Sequence, residues 1–391
     1  MEKSSGQTSL QMPASEADET NARVVIERCG SYNIAEVSAA IQKSLSPFGG
    51  IEAFVRPGDR VLLKPNLLAA HPPEKNVTTH PVVVEAVAAL VREAGGYVRI
   101  GDSPAGSIKG IKRFWRIAGL SEVAEKTGAE LVPFETGAMP AKILNGRRYY
   151  ISKWVAEADV VINLPKFKTH NLMLFTGGVK NMFGTLPGLQ KTDFHKLAPH
   201  PDDFAEILLD VYKLTKPALS IMDAVYGMEG NGPAAGASRE VGLILTSPDA
   251  VALDVVASFL MGYDPETIPT IQAASRRGIG VSELKRIETS PSDLERLRIP
   301  DFRLPSNRKI RMIPRPVLNA IGKAVWIRPV ADPKKCIGCA ICINYCPVEA
   351  MALINMLPVI DYKTCINCLC CDEICPENAM IQKKSLLAKL L

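Results

Sequence analysis

Nothing in this chain constrains its fold more than the nine cysteines crowded between Cys336 and Cys375. Eight of them form two runs, Cys336-x2-Cys339-x2-Cys342-x3-Cys346-Pro347 and Cys365-x2-Cys368-x2-Cys371-x3-Cys375-Pro376. The flanks repeat as well. Asp332-Pro-Lys-Lys matches Asp361-Tyr-Lys-Thr, and Pro-Val-Glu-Ala-Met matches Pro-Glu-Asn-Ala-Met, so the segment is an internal duplication with an implied pseudo-twofold relation. Three thiolates at two-residue separations wrap a tight loop around one face of an iron–sulfide cube, and the fourth ligand must come from elsewhere. Paired C-x2-C units also bind zinc, but a zinc site requires neither the third cysteine of each triplet nor the Cys-Pro ending. A disulfide framework does not suit a reducing compartment. The spacing therefore predicts two [4Fe–4S] clusters.

In two-cluster modules of this spacing, those of bacterial-type ferredoxins, the fourth cysteine of each run serves the other cluster. One cluster is then expected on Cys336, Cys339, Cys342 and Cys375, and the other on Cys365, Cys368, Cys371 and Cys346. Cys370 stands where the first half has Ile341 and is surplus, while Cys29, far away in sequence, reads as a buried apolar residue. The expected domain is a small α+β bacterial-type 2[4Fe–4S] ferredoxin domain over residues 332–383. Such centres span about −700 to +450 mV, so the spacing implies one-electron transfer, expected at low potential in an anaerobic setting, without setting the value.

From residue 22 to 300 short apolar runs alternate with helical stretches. Val61–Leu63 reads as a strand ending in Lys64-Pro65-Asn66, followed by a polar loop from His71 to Thr79. A helix follows, with Thr79 or His80 as its cap and Pro81 in its first turn. Val84, Val87, Leu90, Val91 and Ala94 keep its period, and Gly95 ends it. Tyr97–Ile100, Val160–Leu164, Leu219–Met222 and Val241–Leu245 are further strands, the last before a helix over about 250–260. Alternation of this kind predicts an α/β ligand-binding domain, a mostly parallel sheet with helices on both faces. Ligands of such sheets lie beyond the carboxyl ends of the strands. Four polar loops are expected there: Lys64-Pro-Asn, Gly101-Asp-Ser-Pro, Pro165 to His170, and Asp223 to Gly232. Residues 1–21 read as a disordered polar tail, 301–331 as a basic, proline-rich linker, and 384–391 as a second tail.

The net charge of +5 is small, and much of the excess falls between Arg303 and Lys335. That pattern suits a solvated linker, or a docking surface for an acidic redox protein partner, and excludes a nucleic-acid-binding face. No run of about 18 apolar residues offers a membrane span, and the start of the chain has no apolar export signal, so a cytoplasmic protein is expected. Gly101 to Gly106 has Ser107 where a phosphate loop has lysine, and no G-x-G-x-x-G follows a strand. The strongest candidate site is Lys166, Lys168 and His170 with Gly177, Gly178 and Lys180. Glycines there admit close backbone approach, and the lysines suit an anionic small molecule or organic cofactor. Lys64, Asn66 and Asp102 stand at neighbouring strand ends. His80 reads equally as a helix cap or a site residue, and His200 as structural.

Lys64-Pro-Asn-Leu, Thr79-His-Pro, Gly101-Asp-Ser-Pro, Leu164-Pro-Lys-Phe-Lys-Thr-His and Thr176-Gly-Gly-Val-Lys-Asn-Met-Phe-Gly together resemble the domain of unknown function 362 family, from about residue 23 onward. Members often end in such a ferredoxin module. More distantly, His170, Gly177-Gly178-x-Lys180 and His195 are similar to a stretch of the nickel-pincer lactate racemases. That resemblance implies shared architecture first. It further implies His170 as the proton-transfer residue, Lys180 as the anchor of a second, organic or nickel cofactor, and His195 as a metal ligand. The leading expectation is an oxidoreductase in which the clusters exchange electrons with an anionic molecule held in the α/β domain. The alternatives are a non-enzymatic electron carrier or assembly subunit that docks a redox partner, and racemase-like proton transfer with structural clusters.

Overall fold

A computed structural model describes residues 21–104, 110–137, 140–188, 190–315, 317, 327–346, 348–365, 367, 370–373, 375–377 and 379–385. Strands β1 (Ala22–Arg28), β2 (Arg60–Pro65), β3 (Tyr97–Ile100) and β4 (Glu130–Leu131) come first, then a separate hairpin of β5 (Ala141–Leu144) and β6 (Arg147–Tyr150). Next are β7 (Val160–Leu164), β8 (Lys166–His170), β9 (Leu174–Thr176), β10 (Leu219–Glu229), β11 (Ala237–Ser247) and β12 (Ile287–Ser290). Apart from the hairpin these form one sheet in the order β12-β1-β11-β10-β7-β2-β3-β4, with β8 beside β10 and β9 beside β8. Most pairs are parallel; β1–β11, β10–β11 and β8–β9 run antiparallel. The sheet is thus mostly parallel and mixed.

Alternation along β2 shows why helices cover both faces. Val61 and Leu63 pack with Val84, Val87 and Val91 of the helix Pro81–Glu93. Leu62 points the other way, into the cluster of Phe204, Leu208 and Val211 on the helix Pro201–Thr215. Both helices begin with a His-Pro step in which the imidazole Nδ1 accepts a backbone N–H: His80 from Val82 at 3.3 Å, and His200 from Asp202 at 3.2 Å. His80 is therefore a cap.

Two of the expected loops are strands. Pro165 has no N–H to extend the β7 ladder, but the chain re-pairs at once as β8, with Lys166 opposite Asp223 and Lys168 opposite Met228 of β10. Asp223 to Glu229 is likewise strand, because β10 and β11 continue together beyond the parallel core. The polar sequences hid both strands: their charged side chains are buried against one another rather than solvated.

The cysteine module has its own strands, β13 (Ile327–Ala331) paired with β16 (Met380–Lys384), and β14 (Met351–Ile354) paired with β15 (Leu357–Ile360). The module thus begins five residues before the expected 332, because β13 belongs to its sheet. The duplication is visible in the backbone. Asp332 N–H donates to Ala379 O at 2.7 Å and Asp361 N–H to Ala350 O at 2.8 Å, while Cys336 and Cys365 N–H donate to Asp332 O and Asp361 O. The first part of the expected linker is docked: Arg303 pairs with Glu229 at 2.7 Å, Arg311 with Asp202 at 3.1 Å and Arg315 with Asp203 at 3.1 Å. The remainder, 316 and 318–326, lies outside the described residues, as do residues 1–20 and 386–391 of the expected tails.

Module and sheet domain meet at one seam. Ile341 and Tyr345, which bracket the short helix of Cys342, pack against the core cluster that includes Phe114 and Trp115 of the helix Ile111–Ile117. The rings of Phe114 and Tyr345 meet edge-on at 6.3 Å. Tyr345 comes so close to Gly110, at φ 92°, that a Cβ there would overlap its ring.

Candidate functional site

All five residues of β8 are buried. Alternation places Lys166, Lys168 and His170 on one face and Phe167 and Thr169 on the other. Phe167 joins an apolar core with Phe175 and Met222, and Thr169 Oγ1 donates to Gly230 O at 2.9 Å. Three buried basic side chains in a row persist only if each finds partners.

Lys166 Nζ donates to Asp223 Oδ2 at 2.8 Å, Tyr32 Oη at 2.7 Å and Asn76 Oδ1 at 3.4 Å. Its three protons are thereby used. Asp223 also accepts from Tyr32 Oη at 2.9 Å and from His80 N–H at 2.8 Å, and the His80 ring lies flat on Tyr32 at 3.5 Å. This corrects the expectation that Lys166 meets a ligand's charge, since Asp223 already does so. Lys64 Nζ pairs with Asp102 Oδ1 at 2.8 Å and donates to Pro65 O at 2.8 Å. Asp102 in turn accepts N–H groups of Leu67 at 2.7 Å and Ser103 at 2.8 Å, so this buried pair ties the end of β2 to the end of β3. Asn66 donates to Asn181 Oδ1 at 2.9 Å and accepts from Lys168 Nζ at 2.7 Å; Lys168 also reaches Val77 O at 2.7 Å. Lys64, Asn66 and Asp102 form an internal frame around the strand ends, and their polar atoms are committed within the protein.

The paired glycines also serve the protein. Gly178 N–H donates to Asp254 Oδ1 at 2.5 Å and Val179 N–H to Oδ2 at 3.1 Å, and a Cβ on Gly177 would overlap that carboxylate. The expected close approach is therefore made by Asp254, not left for a ligand's phosphate. Burial pushes the Asp254 carboxyl up to about 7. Asp254 is the lone acid in the apolar helix Ala250–Met261, which was the available signal for it in the sequence. Tyr32 gave no comparable signal.

His170, Lys180 and His195 do come together. Burial holds the His170 imidazole well below its ordinary range, and the charges of Lys180, His195 and Lys168 push the same way. His195, stacked on Phe204 at 4.2 Å, is lowered to about 3 by burial and by Lys180. His170 Nδ1 accepts N–H groups of Leu172 at 3.1 Å and Met173 at 3.2 Å, so the neutral ring carries its proton on Nε2. Among the described residues, the buried hydroxyls of Thr176 and Thr78 have no hydrogen-bond partner. Thr176 is the cross-strand partner of Lys168 and shares its face; Thr78 follows Val77, whose carbonyl Lys168 holds.

These histidines make the fold acid-sensitive. In the unfolded chain an imidazole titrates near 6.5, whereas in the folded one His195 does so near 3 and His80 near 4. Between those values the unfolded state binds more protons, so each imidazole's contribution is full above about pH 6.5 and falls as pH drops toward 3, whereas the raised Asp254 carboxyl acts in the opposite sense. Each imidazole's share of the difference in urea unfolding between pH 5 and 7.5 should be about 2 kcal/mol. His195→Phe should remove its share of the difference; an unchanged pH dependence would contradict the assignment.

In the module, Cys336, Cys339, Cys342 and Cys375 line one cavity with Ile337, Ile341, Leu353 and Pro358. Burial raises the Cys342 thiol to about 11, helped by Cys339, Cys375 and Cys336. Four crowded sulfurs in an apolar setting suit an iron core that supplies positive charge. In the second half, Cys365 and Cys371 both register on the Tyr362 phenol, and Cys346 and Cys371 are buried. Cys368 lies outside the described residues. Ala350 N–H donates to Cys346 Sγ at 3.3 Å and Ala379 N–H to Cys375 Sγ at 3.2 Å, a symmetric pair of the kind that tunes iron–sulfur potentials.

A family model described as a domain of unknown function (DUF362) matches residues 61–258, and one described as a 4Fe-4S dicluster domain matches residues 328–376. The second gives the chain an iron–sulfur, electron-transferring module. "Thylakoid-associated protein sll1697" of Synechocystis sp. is 40% identical over 316 residues, 79% of this chain and 96% of that protein. The lactate racemase apoprotein from Thermoanaerobacterium thermosaccharolyticum is similar at 13% identity and a TM-score of 0.37, over 61% of this chain and only 57% of that one. A likeness of that size transfers no residue role and no cofactor.

Proposed function

The chain belongs to the DUF362 family, and we propose that its ferredoxin module exchanges single electrons with a small anionic molecule bound in the sheet domain at Lys168, His170, Thr176 and Lys180. The observation that carries this reading is Ile341. It lines the cavity of Cys336, Cys339, Cys342 and Cys375, and it also packs on the core of the sheet domain. One side chain therefore faces both the cluster site and the apolar core to which Phe114 and Trp115 of the helix Ile111–Ile117 belong. Two clusters supply and store single electrons. The protein's own part is to hold the anion by ammonium groups and threonine hydroxyls, exclude water by burial, and offer the His170 Nε2 proton.

A second reading, docking of a redox protein, has support of its own. Ala352, Ile354, Leu357 and Val359 form the outer face of the β14–β15 hairpin, and Ile354 and Val359 are exposed. The inner face, with Leu353 and Pro358, lines the cluster cavity, so a partner seated on the outer face would lie one strand away from the cluster. Cytoplasmic placement stays part of the proposal. Association with thylakoids, as the name of the Synechocystis relative says of that protein, is compatible with it. Among the described residues no helix is long and apolar enough to cross a membrane.

The test is anaerobic purification of the full chain, followed by mass spectrometry of what its denaturation releases. The expected result is an anionic small molecule at about one per chain from the native protein and little from Thr176→Val at equal iron content. Recovery of no anion, together with co-purification of a redox protein, would favour the docking reading instead.

A further inference from the structure

The seam between the two domains holds an unpaired charge. Arg113, on the helix Ile111–Ile117, places its guanidinium carbon 5.8 Å from the centre of the Tyr345 ring. Its Nη1 is buried without a hydrogen-bond partner, and no carboxylate pairs with it among the described residues. Three other arginines that tie elements together have an acid: Arg303 has Glu229, Arg311 has Asp202, and Arg277 has Asp210. Arg113 is only partly buried, but a guanidinium nitrogen sealed from water without a partner is disfavoured, so negative charge nearby is favourable.

Among the described residues no carboxylate supplies that charge. Across Tyr345 lies the short helix of Cys342, and beyond it the four-cysteine cavity. A cubane ligated by four thiolates is a net anion in both oxidation states and gains one more negative charge when it accepts an electron. We propose that Arg113, a residue of the sheet domain, is the counter-charge of the cluster at Cys336, Cys339, Cys342 and Cys375 and raises its reduction potential. A cation held nearby favours the more anionic, reduced form. The cluster that abuts the sheet domain thereby becomes a better electron acceptor than its four thiolates alone would make it. Arg113 is a positioning and tuning residue and touches no substrate, and its role is independent of whether the sheet domain binds an anion.

The test is a redox titration of the anaerobic holoprotein followed by EPR, comparing the native chain with Arg113→Gln and Arg113→Lys. Arg113→Gln is expected to raise the oxidised-to-reduced ratio of one cluster about tenfold at fixed potential, equivalent to a midpoint about 59 mV lower for one electron. The signal affected should be the one that Cys375→Ser removes, and the other should hold still. Arg113→Lys keeps the charge and should stay near the native midpoint. Should Arg113→Gln fail to load iron, Arg113→Met, which retains an apolar stem on Tyr345, takes its place. Midpoints that do not move, that move equally for both clusters, or that fall as far with lysine as with glutamine would overturn the assignment.

Discussion

Cys375→Ser is expected to abolish the cluster whose other ligands are Cys336, Cys339 and Cys342, and to spare the one built on Cys365, Cys368, Cys371 and Cys346. Cys375 lines the same cavity as those three cysteines although it is the last cysteine in the chain. Iron and sulfide per chain should fall to about half, with one of two EPR signals lost. Double variants identify which cluster is lost. Cys375→Ser with Cys342→Ser should lose no more iron than Cys375→Ser alone, because both damage one cluster, whereas Cys375→Ser with Cys371→Ser should lose nearly all of it. The reverse pattern would mean that each half of the duplication holds its own cluster.

Lys166→Met carries the largest expected cost in stability. It would leave Asp223, fully buried, with Tyr32 and the backbone N–H groups of His80 and Val225 as donors and no counter-charge from Lys166. Removing one partner of such a pair costs about 3–5 kcal/mol, while replacing both by apolar residues of similar volume is often far milder. Urea unfolding of Lys166→Met, Asp223→Leu and the double variant checks this. The singles should be severely destabilised and the double should recover much of the loss. A loss below about 1 kcal/mol for Lys166→Met would show that the lysine reaches solvent or a ligand, contrary to the saturated geometry.

How much of this the sequence disclosed depended on whether a residue's partners were local. Cysteine spacing is local, and the duplication with its flanks read directly onto the paired contacts of Asp332 with Ala379 and of Asp361 with Ala350. The His80-Pro81 and His200-Pro201 caps also lie within one turn. Apolar strands such as Val160–Leu164 were legible because burial on both faces leaves a continuous apolar run. β8 was not, because Lys-Phe-Lys-Thr-His resembles a strand only once Asp223, Asn66 and Val77 supply partners from far along the chain. The same holds for Gly177 and Gly178. A glycine pair before a lysine suggests a ligand cradle, and only the fold reveals that Asp254 fills it. Arg113 could not have been singled out at all, since its isolation is defined by what the seam does not contain.

The central claim is that the module exchanges electrons with the sheet domain across the seam of Ile341, Tyr345 and Arg113, so that the sheet domain responds when the clusters change charge. Anaerobic hydrogen exchange, comparing oxidised and dithionite-reduced holoprotein by mass spectrometry, tests it most directly. The expected result is a difference in exchange that extends beyond the module to residues 110–118 and to the β8–β9 region, 166–181. Differences confined to residues 327–385 would contradict it and leave the ferredoxin module a passenger on a domain that does not respond to its electrons.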